Sequence, residues 1–380
     1  MRVLSVTGSR SDYSLMSKLF QLLAQDSSIE HHLAVTGMLL NQDHIDIWNQ
    51  IQKDGFGVLH PIVTFGDSQD AIAMTKALGK AVEGFADLIA EIKPDYLVLQ
   101  GDRGEMLAAA IAAAHLNTVI LHLSGGDRSG SIDDSIRNAI TKFAHIHLTT
   151  CKESSDRLVG MGESASRIIE VGEPGLDVIA DTELLSREEL EAEFGLKPGE
   201  PFILACQHPV TTEVERSDFQ IEETLAALRT LGTKTIFTYP NNDAGSAKII
   251  ESLKKSENEP WIKVVKNLGS RRFLSALRYA SVLVGNSSSG IWEAPTFQTP
   301  VVNIGSRQHR RTRAGNVIDV PFERAQILEA IQKCISDQKF LRSLKTVKNP
   351  YGDGRSSERL LKILKDFHAP SNFLAKWLDP

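Results

Sequence analysis

Polar side chains suited to acid–base chemistry or anion binding recur directly after short apolar runs of this sequence. Thr7–Tyr13 (TGSRSDY) follows the first run and contains Arg10. Gln100–Met106 (QGDRGEM) follows another and contains Asp102 and Arg103. Where a strand ends in a tight turn and a helix begins, backbone N–H groups point at an anion, and a guanidinium adds a charge-assisted contact. The first segment therefore predicts an anion site, and the second predicts a carboxylate beside a cation.

The densest group of carboxylates lies in Leu121–Arg137 (LHLSGGDRSGSIDDSIR), which also follows an apolar run. A glycine pair there allows close backbone approach to a ligand. Asp127, Asp133 and Asp134 follow the pair and precede a helix. Carboxylates that share one low-dielectric site push each other's pKa values apart, which equips them for acid and base roles. We predict that this segment carries catalysis.

The second half of the chain repeats the arrangement in four segments, QHPVTTE, TYPNNDAGS, GNSSSGIWEAP and NIGSRQ. The first offers His208, and the last offers Arg307. In the third, Ser287 and Ser288 at a helix start would cradle a diphosphate, and Glu293 would reach a ribose diol. These residues predict a nucleotide-binding side of the protein.

Each segment also has a purely structural interpretation. The first fits helix capping by Ser9 or Ser11, and the second fits an N-cap aspartate followed by a surface arginine. Asp133 or Asp134 fits a cap that complements the helix dipole. GNSSSG likewise fits an N-cap, and His208 fits a structural hydrogen bond. The functional interpretation is favoured because the segments recur in order, each after a predicted strand.

The elements that must position these residues alternate between short apolar runs and helical patterns. Near-continuous apolar runs are typical of strands buried on both faces, and their alternation with helices predicts βαβ units and parallel sheets. We therefore predict an α/β fold with doubly wound sheets, whose strand ends converge on a ligand crevice. The predicted strands are Val3–Thr7, Leu33–Thr36, Tyr96–Gln100, Val119–Leu123, Ile146–Thr149, Ile168–Val171, Phe202–Cys206, Thr235–Tyr239, Ile262–Val265, Val282–Val284 and Val301–Ile304.

The domain organisation follows from a polar stretch, Thr182–Pro201, whose centre predicts a helix that ends in a Lys-Pro-Gly turn. We predict one doubly wound domain over residues 1–185 and a second over 186–355. Residues 356–380 predict two helices, Ser356–Asp366 and Asn372–Trp377, that pack back on the first domain.

Composition excludes several classes of protein. Of 380 residues, 42% are hydrophobic and 24% charged, as in folded soluble proteins, and the net charge of −6 argues against a general binder of nucleic acid or anionic membranes. The cysteines number 3, are widely spaced and form no CxxC pair, which predicts a reduced, cytoplasmic protein without a cysteine-based metal site. No signal peptide is expected, and no apolar run approaches the roughly 18 residues of a membrane span. GxGxxG, GxxxxGK[ST], HExxH and GxSxG are all absent, so we expect no bound cofactor and no metal.

The ordered motifs TGSRSDY, GDRGE, SGGDRSGSIDDSIRNAITKFAHIHL, QHPVTTE, YPNNDAGS, GNSSSGIWEAP and NIGSRQ together resemble the hydrolysing UDP-N-acetylglucosamine 2-epimerases of the sialic-acid pathway. Close relatives in that family act on UDP-diacetylbacillosamine in legionaminic-acid synthesis. The resemblance runs from Arg2 to about Lys365. It implies a GT-B fold, in which two Rossmann-like domains face a central cleft. It further implies that the first domain acts on the sugar and the second binds UDP.

The resemblance also implies a reaction. The proton at carbon 2 of the sugar is removed and UDP leaves carbon 1, which gives a bound 2-acetamidoglucal. Water then adds at carbon 1, carbon 2 is protonated from the opposite face, and the free ManNAc-type sugar is released. Such a reaction needs a positioned base for a weak carbon acid and positive charge for the departing diphosphate.

Site residues carry over by position from this resemblance. Asp102 and Asp133 match catalytic carboxylates, Asp134 and Arg137 belong to the same IDDSIR motif, and His208 matches a histidine of the active site. The residues that match diphosphate or ribose contacts are Arg10, Arg103, Ser287, Ser288, Glu293 and Arg307.

One segment departs from the family pattern, which is usually HIEGGE or HIHGGE. Here Ser124 replaces the catalytic glutamate or the histidine, Asp127 replaces the following glutamate, and Asn138 stands where histidine is common. A serine is not a general base near neutral pH without an activator. Three interpretations remain open: Asp127 or another carboxylate takes over the role, the substrate differs at carbon 4 or 6, or activity is low.

Other functions also remain open. They are a non-hydrolysing UDP-GlcNAc 2-epimerase, a GT-B glycosyltransferase, and a UDP-sugar-binding protein with impaired catalysis. The crowded aspartates between Asp127 and Asp134 argue against the transferase, which needs fewer acid–base groups. Family members are commonly dimers or tetramers, so a homo-oligomer is expected. The sequence leaves the oligomeric state and the substituents at carbons 4 and 6 unassigned.

Overall fold

A computed structural model of the chain describes residues 1–41, 45–64, 71–128, 132–241, 243–367 and 373–375. The chain divides into two compact units, Met1–Ala180 with Tyr351–Pro380, and Asp181–Pro350. Among the described residues, no helix combines the length and the apolar character needed to cross a bilayer.

The first unit is built on a parallel sheet. Its strands are β1 (Arg2–Thr7), β2 (Glu30–Val35), β3 (Val58–Pro61), β4 (Tyr96–Gln100), β5 (Val119–Leu123), β6 (Ile146–Thr149) and β7 (Ile168–Glu170), in the order β3-β2-β1-β4-β5-β6-β7. The strand order reverses between β1 and β4, which pair in parallel. At such a point the following helices turn to opposite faces of the sheet, and their divergence opens a crevice. The helices are α1 (Arg10–Gln25), α2 (Ile45–Asp54), α3 (Ala71–Ile92), α4 (Gly104–His115), α5 (Ile132–Phe143), α6 (Lys152–Gly160) and α7 (Gly175–Asp181).

The second unit repeats this plan. Its strands are β8 (Phe202–Cys206), β9 (Lys234–Thr238), β10 (Ile262–Val265), β11 (Val282–Gly285), β12 (Val301–Ile304) and β13 (Val317–Val320), all parallel, in the order β10-β9-β8-β11-β12-β13. The reversal lies between β8 and β11. The helices are α8 (Arg187–Phe194), α9 (Ser217–Leu231), α10 (Ser246–Ser256), α11 (Gly269–Tyr279), α12 (Ser289–Trp292), α13 (Arg324–Ser336) and α14 (Gln338–Leu344).

Central strands are apolar on both faces because each sheet is covered by helices on both sides. Every residue of β4, β5 and β8 is buried. In the first unit one core packs α1 against the sheet, with Phe20 and Leu23 fully buried, and a second core packs α3 and α4 against the opposite face. Two cores cover the second sheet in the same way.

The predicted strands are all present, with small differences at their ends. Two further strands, β3 and β13, are not among the predicted ones, because they are edge strands with partly exposed side chains and lack a continuous apolar run. The predicted helix before the Lys-Pro-Gly turn, α8, ends earlier, because Gly195 caps it in the left-handed conformation at φ +66°.

The chain returns to the first unit after residue 350. The last described helix, α15 (Ser356–Asp366), begins where the buried Asp177 carboxylate accepts the backbone N–H groups of Ser356 at 2.8 Å and Ser357 at 2.6 Å. The hydroxyl of Tyr96 donates to the carbonyl of Phe367 at 2.8 Å. The predicted helix Asn372–Trp377 lies mostly outside the described residues, and 373–375 contain a turn.

Candidate active site

A buried arginine organises the carboxyl edge of the first sheet. Arg137 projects from α5, is only 5% exposed, and forms an ion pair with Asp102 at the end of β4. Its Nη1 donates to Asp134 Oδ1 at 2.7 Å and to the carbonyl oxygen of Asp127 at 2.8 Å. The carboxylates of Asp102 and Asp134 keep 24% and 31% of their side-chain exposure. The guanidinium therefore fixes two carboxylates that still reach solvent.

The alternative interpretation of Asp102 as an N-cap is wrong, since the N-cap of α4 is Arg103 and the Asp102 carboxylate contacts Arg137. Asp133 and Asp134 lie in the first turn of α5, where negative charge complements the helix dipole. Asp134 complements the helix dipole and also contacts Arg137, so a capping role and a role in the site are compatible for this residue.

The Asp127 carboxylate takes part in a different set of hydrogen bonds. Its Oδ1 accepts the hydroxyl of Thr150 at 2.7 Å and that of Ser154 at 2.6 Å. Both donors follow β6 along the chain. Two hydroxyls thus hold Asp127 in place, whereas Arg137 holds Asp102 and Asp134.

Arg103 lies among three carboxylates. Its Nε is 3.6 Å from Asp12 Oδ2 and 3.4 Å from Glu105 Oε2. Burial lowers the pKa of Arg103, but Glu105, Asp12 and, more weakly, Asp133 outweigh that effect and raise it. Arg103 therefore stays charged at the strand end, next to Asp12 and Glu105, which were not predicted as site residues.

Asp12 and Glu105 are the acidic residues that were missed. Asp12 is buried, and its Oδ2 has no hydrogen-bond partner among the described residues. Burial raises the pKa of the Asp12 carboxyl, opposed by Arg103. A Cβ at Gly37 would overlap the Glu105 carboxylate, so the backbone is shaped around that side chain. A glycine close after a strand, such as Gly37, was the sequence signal that could have indicated these acidic residues.

The first turn of α1 is capped by a side chain of its own. Ser9 is the N-cap, and its hydroxyl accepts the backbone N–H of Asp12 at 3.2 Å. Arg10 is exposed on the first residue of the helix. The capping interpretation therefore accounts for Ser9, and the buried carboxylate in the first turn occupies the end of the helix where an anion was predicted.

Ser124 follows β5 in an unusual conformation. Its φ of +62° lies in the left-handed region, it is 5% exposed, and its hydroxyl has no hydrogen-bond partner among the described residues. Two strand positions earlier, His122 is fully buried. Its Nε2 donates to the carbonyl of Gly101 at 2.8 Å, and its Nδ1 accepts the hydroxyl of Thr141 at 3.1 Å. His122, which was not predicted, thus anchors the turn that leads to Asp102.

In the second unit, His208 is held as a neutral imidazole. Its Nδ1 accepts the backbone N–H of Asn241 at 3.0 Å, so Nε2 carries the proton and lies 3.4 Å from Cys206 Sγ. Burial, with a smaller effect of the Arg307 charge, lowers the pKa of His208 to about 4. His208 therefore presents an N–H donor at neutral pH.

Arg307, Ser287 and Ser288 lie at the same edge of the second sheet. Arg307 Nη1 donates to the carbonyl of Asn286 at 3.2 Å, and burial lowers its pKa. Ser288 is the N-cap of the four-residue helix α12 but makes no side-chain capping bond, and Ser287 Oγ accepts the N–H of Ser289 at 3.3 Å. The capping hydrogen bond that GNSSSG predicts is therefore accepted by the side chain of Ser287 and not by that of Ser288.

Glu293 ends this helical segment with an unsatisfied carboxyl group. Its Oε2 is buried and has no hydrogen-bond partner among the described residues. Burial raises the pKa of Glu293 to about 7, against smaller opposing effects of a backbone N–H, Ser289 and Arg311. The Oε2 atom of Glu293 can therefore accept a hydrogen bond from a hydroxyl group of a ligand.

Two doubly wound parallel units, each with polar groups at its carboxyl edge, define an α/β protein of the GT-B fold, which confirms the predicted fold class. The family model for UDP-N-acetylglucosamine 2-epimerase matches residues 21–365. The chain belongs to the UDP-N-acetylglucosamine 2-epimerase family, as the motifs predicted.

Individual relatives are similar along most of the chain. A Legionella pneumophila protein named UDP-N,N'-diacetylbacillosamine 2-epimerase (hydrolyzing) is 38% identical over 99% of this chain and 98% of its own length. A Campylobacter jejuni GDP/UDP-N,N'-diacetylbacillosamine 2-epimerase (hydrolyzing) is 32% identical over 84% of each chain. The crystal structure of Neisseria meningitidis UDP-GlcNAc 2-epimerase bound to UDP-GlcNAc superposes with a TM-score of 0.80 at 17% identity, over 97% of this chain and 100% of that one.

Proposed function

We propose that this enzyme is a hydrolysing 2-epimerase that converts a UDP-N-acetylhexosamine to UDP and a free ManNAc-type sugar. A base removes the proton at carbon 2, and the electron pair forms the C1=C2 bond as the bond from carbon 1 to the β-phosphate oxygen breaks. UDP leaves with the electron pair of the broken C1–O bond, which yields a 2-acetamidoglucal. Water adds at carbon 1, and carbon 2 takes a proton on the opposite face.

The observation that carries the proposal is the ion-paired group Asp102, Arg137 and Asp134 at the carboxyl edge of the first sheet. The elimination and the addition each need one group to take a proton and one to give a proton, at fixed positions. A buried guanidinium that orients two partly exposed carboxylates supplies fixed positions. Arg137 orients Asp102 and Asp134, and we assign proton transfer to Asp102 and to Asp133, which lies beside Asp134 in the first turn of α5.

The second unit is assigned to UDP. Arg307, Ser287 and Ser288 would bind the diphosphate, whose charge grows as it departs. Glu293 would accept the ribose hydroxyls through its unsatisfied carboxyl oxygen. Because His208 is neutral and carries its proton on Nε2, we assign it as an N–H donor to a phosphate oxygen.

On the first unit, Arg10 and Arg103 remain proposed diphosphate contacts, and Ser124 and Asp127 remain proposed catalytic groups. Asp127 is held by two hydroxyls, so it offers a fixed carboxylate near the turn that contains Ser124. We favour a UDP-2,4-diacetamido sugar as substrate over UDP-GlcNAc, because the Legionella pneumophila relative, 38% identical over 99% of this chain, is named for diacetylbacillosamine. The product would then serve nonulosonic-acid synthesis.

The test is a panel of UDP-GlcNAc and UDP-2,4-diacetamido-2,4,6-trideoxyhexoses incubated in deuterated water and followed by proton NMR. We expect release of UDP and a free sugar of manno configuration with deuterium at carbon 2. Asp102→Asn should abolish turnover, whereas Asp156→Asn, which removes an exposed partner of Lys152, should not.

Three outcomes would count against the proposal. Retained hydrogen at carbon 2 would exclude the elimination. A UDP-linked epimer without UDP release would identify a non-hydrolysing enzyme. UDP binding without turnover of any panel member would identify a binding protein, and restored turnover in Ser124→Glu would then locate the lost catalytic group.

A further inference from the structure

We propose that Asn286 is a positioning residue that holds three loops of the second unit in the arrangement that binds the diphosphate. The three loops follow β8, β11 and β12 and carry His208, Ser287 and Arg307, respectively. This inference rests on the proposed function, since it takes UDP as the ligand. It adds a residue that touches no ligand itself.

Asn286 lies where the strand order of the second sheet reverses. It directly follows β11, and its backbone N–H donates to the carbonyl of Cys206 at the end of β8, at 3.2 Å. A Cβ at the preceding Gly285 would overlap that same carbonyl, and Gly285 adopts φ +133°. The two strand ends thus approach as closely as a glycine permits, while the loops beyond them diverge to opposite faces.

The side chain of Asn286 ties one diverging loop to the other. Its Oδ1 accepts the backbone N–H of His208 at 2.7 Å, and its Nδ2 donates to the backbone carbonyl of His208 at 2.9 Å. The two residues are 78 positions apart in sequence. A carboxamide alone among side chains of this length both accepts and donates in this way. The backbone position of His208 is therefore set by Asn286.

The backbone carbonyl of Asn286 holds the third loop. It accepts Arg307 Nη1 at 3.2 Å and Gln308 Nε2 at 2.9 Å. Asn286 is fully buried, whereas His208 and Arg307 keep partial exposure. A buried residue that bonds to both partly exposed neighbours acts on the ligand through them. Removing its amide would leave both backbone groups of His208 without their partner.

The test compares Asn286→Ala with Asn316→Ala in the full-length enzyme. Asn316 is an equally buried asparagine of the same sheet, whose Nδ2 donates to the carbonyl of Thr299 at 2.8 Å. It directly precedes β13, so it lies at the opposite, amino edge. Three quantities are measured in each variant: the Kd for UDP by calorimetry, the titration of the His208 ring by NMR, and the thermal midpoint.

We expect Asn286→Ala to weaken UDP binding on the order of tenfold or more, because the loop that carries His208 loses both of the side-chain hydrogen bonds that hold it. The pKa of His208 should rise from about 4 toward 6.5 as the loop admits water. Asn316→Ala should lower the thermal midpoint but leave the UDP affinity and the His208 titration as in the wild type. A purely structural role for Asn286 would give the two variants the same pattern.

The proposal is overturned if Asn286→Ala binds UDP within about twofold of the wild type, or if Asn316→Ala weakens UDP binding equally. Should Asn286→Ala fail to fold, Asn286→Ser carries the same measurements. If both variants fail to fold while Asn316→Ala folds, Asn286 supports the whole unit and the positioning role is rejected. A wild type that binds no UDP refutes the proposed function and, with it, the role at the diphosphate. The His208 titration then still tells whether Asn286 holds the loop.

Discussion

Glu293→Gln tests whether the second unit carries a carboxyl group that costs stability when it ionises. Burial raises the pKa of Glu293 from 4.5 to about 7, and its buried Oε2 has no hydrogen-bond partner among the described residues. At about 1.36 kcal/mol per pKa unit, this difference corresponds to ~3 kcal/mol. Glutamine has the same shape and no charge, so it removes the cost of ionisation.

The sign of the effect follows from proton counts. Between pH 4.5 and about 7 the folded chain keeps a proton on Glu293 that the unfolded chain has lost. Folding stability due to this group therefore falls as pH rises through that window, and the full cost of ~3 kcal/mol is present above pH 7. Glu293→Gln should thus stabilise the second unit by up to ~3 kcal/mol at about pH 8 and by much less at about pH 5.

Amide hydrogen exchange of peptides from β11 and β12 is the suitable assay, because a chain of two units need not unfold in one step. The affinity for UDP-GlcNAc, measured in parallel, should fall on the order of tenfold at pH 8 in the variant, since a charge-assisted hydrogen bond to the ribose is lost. In the wild type this affinity should decline as pH drops through about 7, and in the variant it should not. A stability gain that is equal at both pH values, or absent at pH 8, would refute the reasoning.

Three further substitutions have distinct expected outcomes. Arg137→Gln leaves the partly exposed carboxylates of Asp102 and Asp134 without their shared cation and should cost about 1–3 kcal/mol of stability. Turnover should fall on the order of a hundredfold, and turnover within about threefold of the wild type would contradict the proposed role. Asp177→Ala should cost ~2 kcal/mol and accelerate amide exchange in Ser356–Asp366, while Asp353→Ala, which breaks an exposed ion pair, should cost under ~1 kcal/mol. Equal effects of the two substitutions on stability would show that capping by Asp177 contributes no more than an exposed ion pair. Ser124→Gly should raise stability by ~1 kcal/mol, because the φ of +62° at this position suits glycine. The same substitution should lower turnover. A thermal midpoint no higher than that of Ser124→Ala would show that the backbone at Ser124 is not strained.

Sequence patterns predict the part of this structure that depends on burial. Every residue of central strands such as β4 and β8 is buried, because helices cover both faces of their sheets. The edge strands β3 and β13 have one neighbouring strand and partly exposed side chains, and His60 and Asp319 interrupt their apolar runs. The polar segments after strands could be located for the same reason, since a strand end is marked by the point where apolar residues stop.

The partners of the site residues could not be predicted, because they depend on contacts between distant segments. Asp102 and Arg137 are 35 residues apart and meet only because β4 and β5 are neighbours in the sheet. The hydrogen bonds between Asn286 and His208 depend in the same way on the pairing of β8 with β11. Spacing indicated which residues are polar and near a strand end, but strand order decides which of them touch.

The return of the chain to the first unit has a consequence for its synthesis. The second unit, Asp181–Pro350, is one uninterrupted stretch, so it can fold as soon as it has left the ribosome. The first unit lacks α15 until the whole second unit has been translated, because the bonds from Asp177 and Tyr96 to that helix span up to 271 residues. A chain truncated before Ser356 would therefore contain one complete unit and one that exposes the apolar face where Leu360 and Leu364 belong.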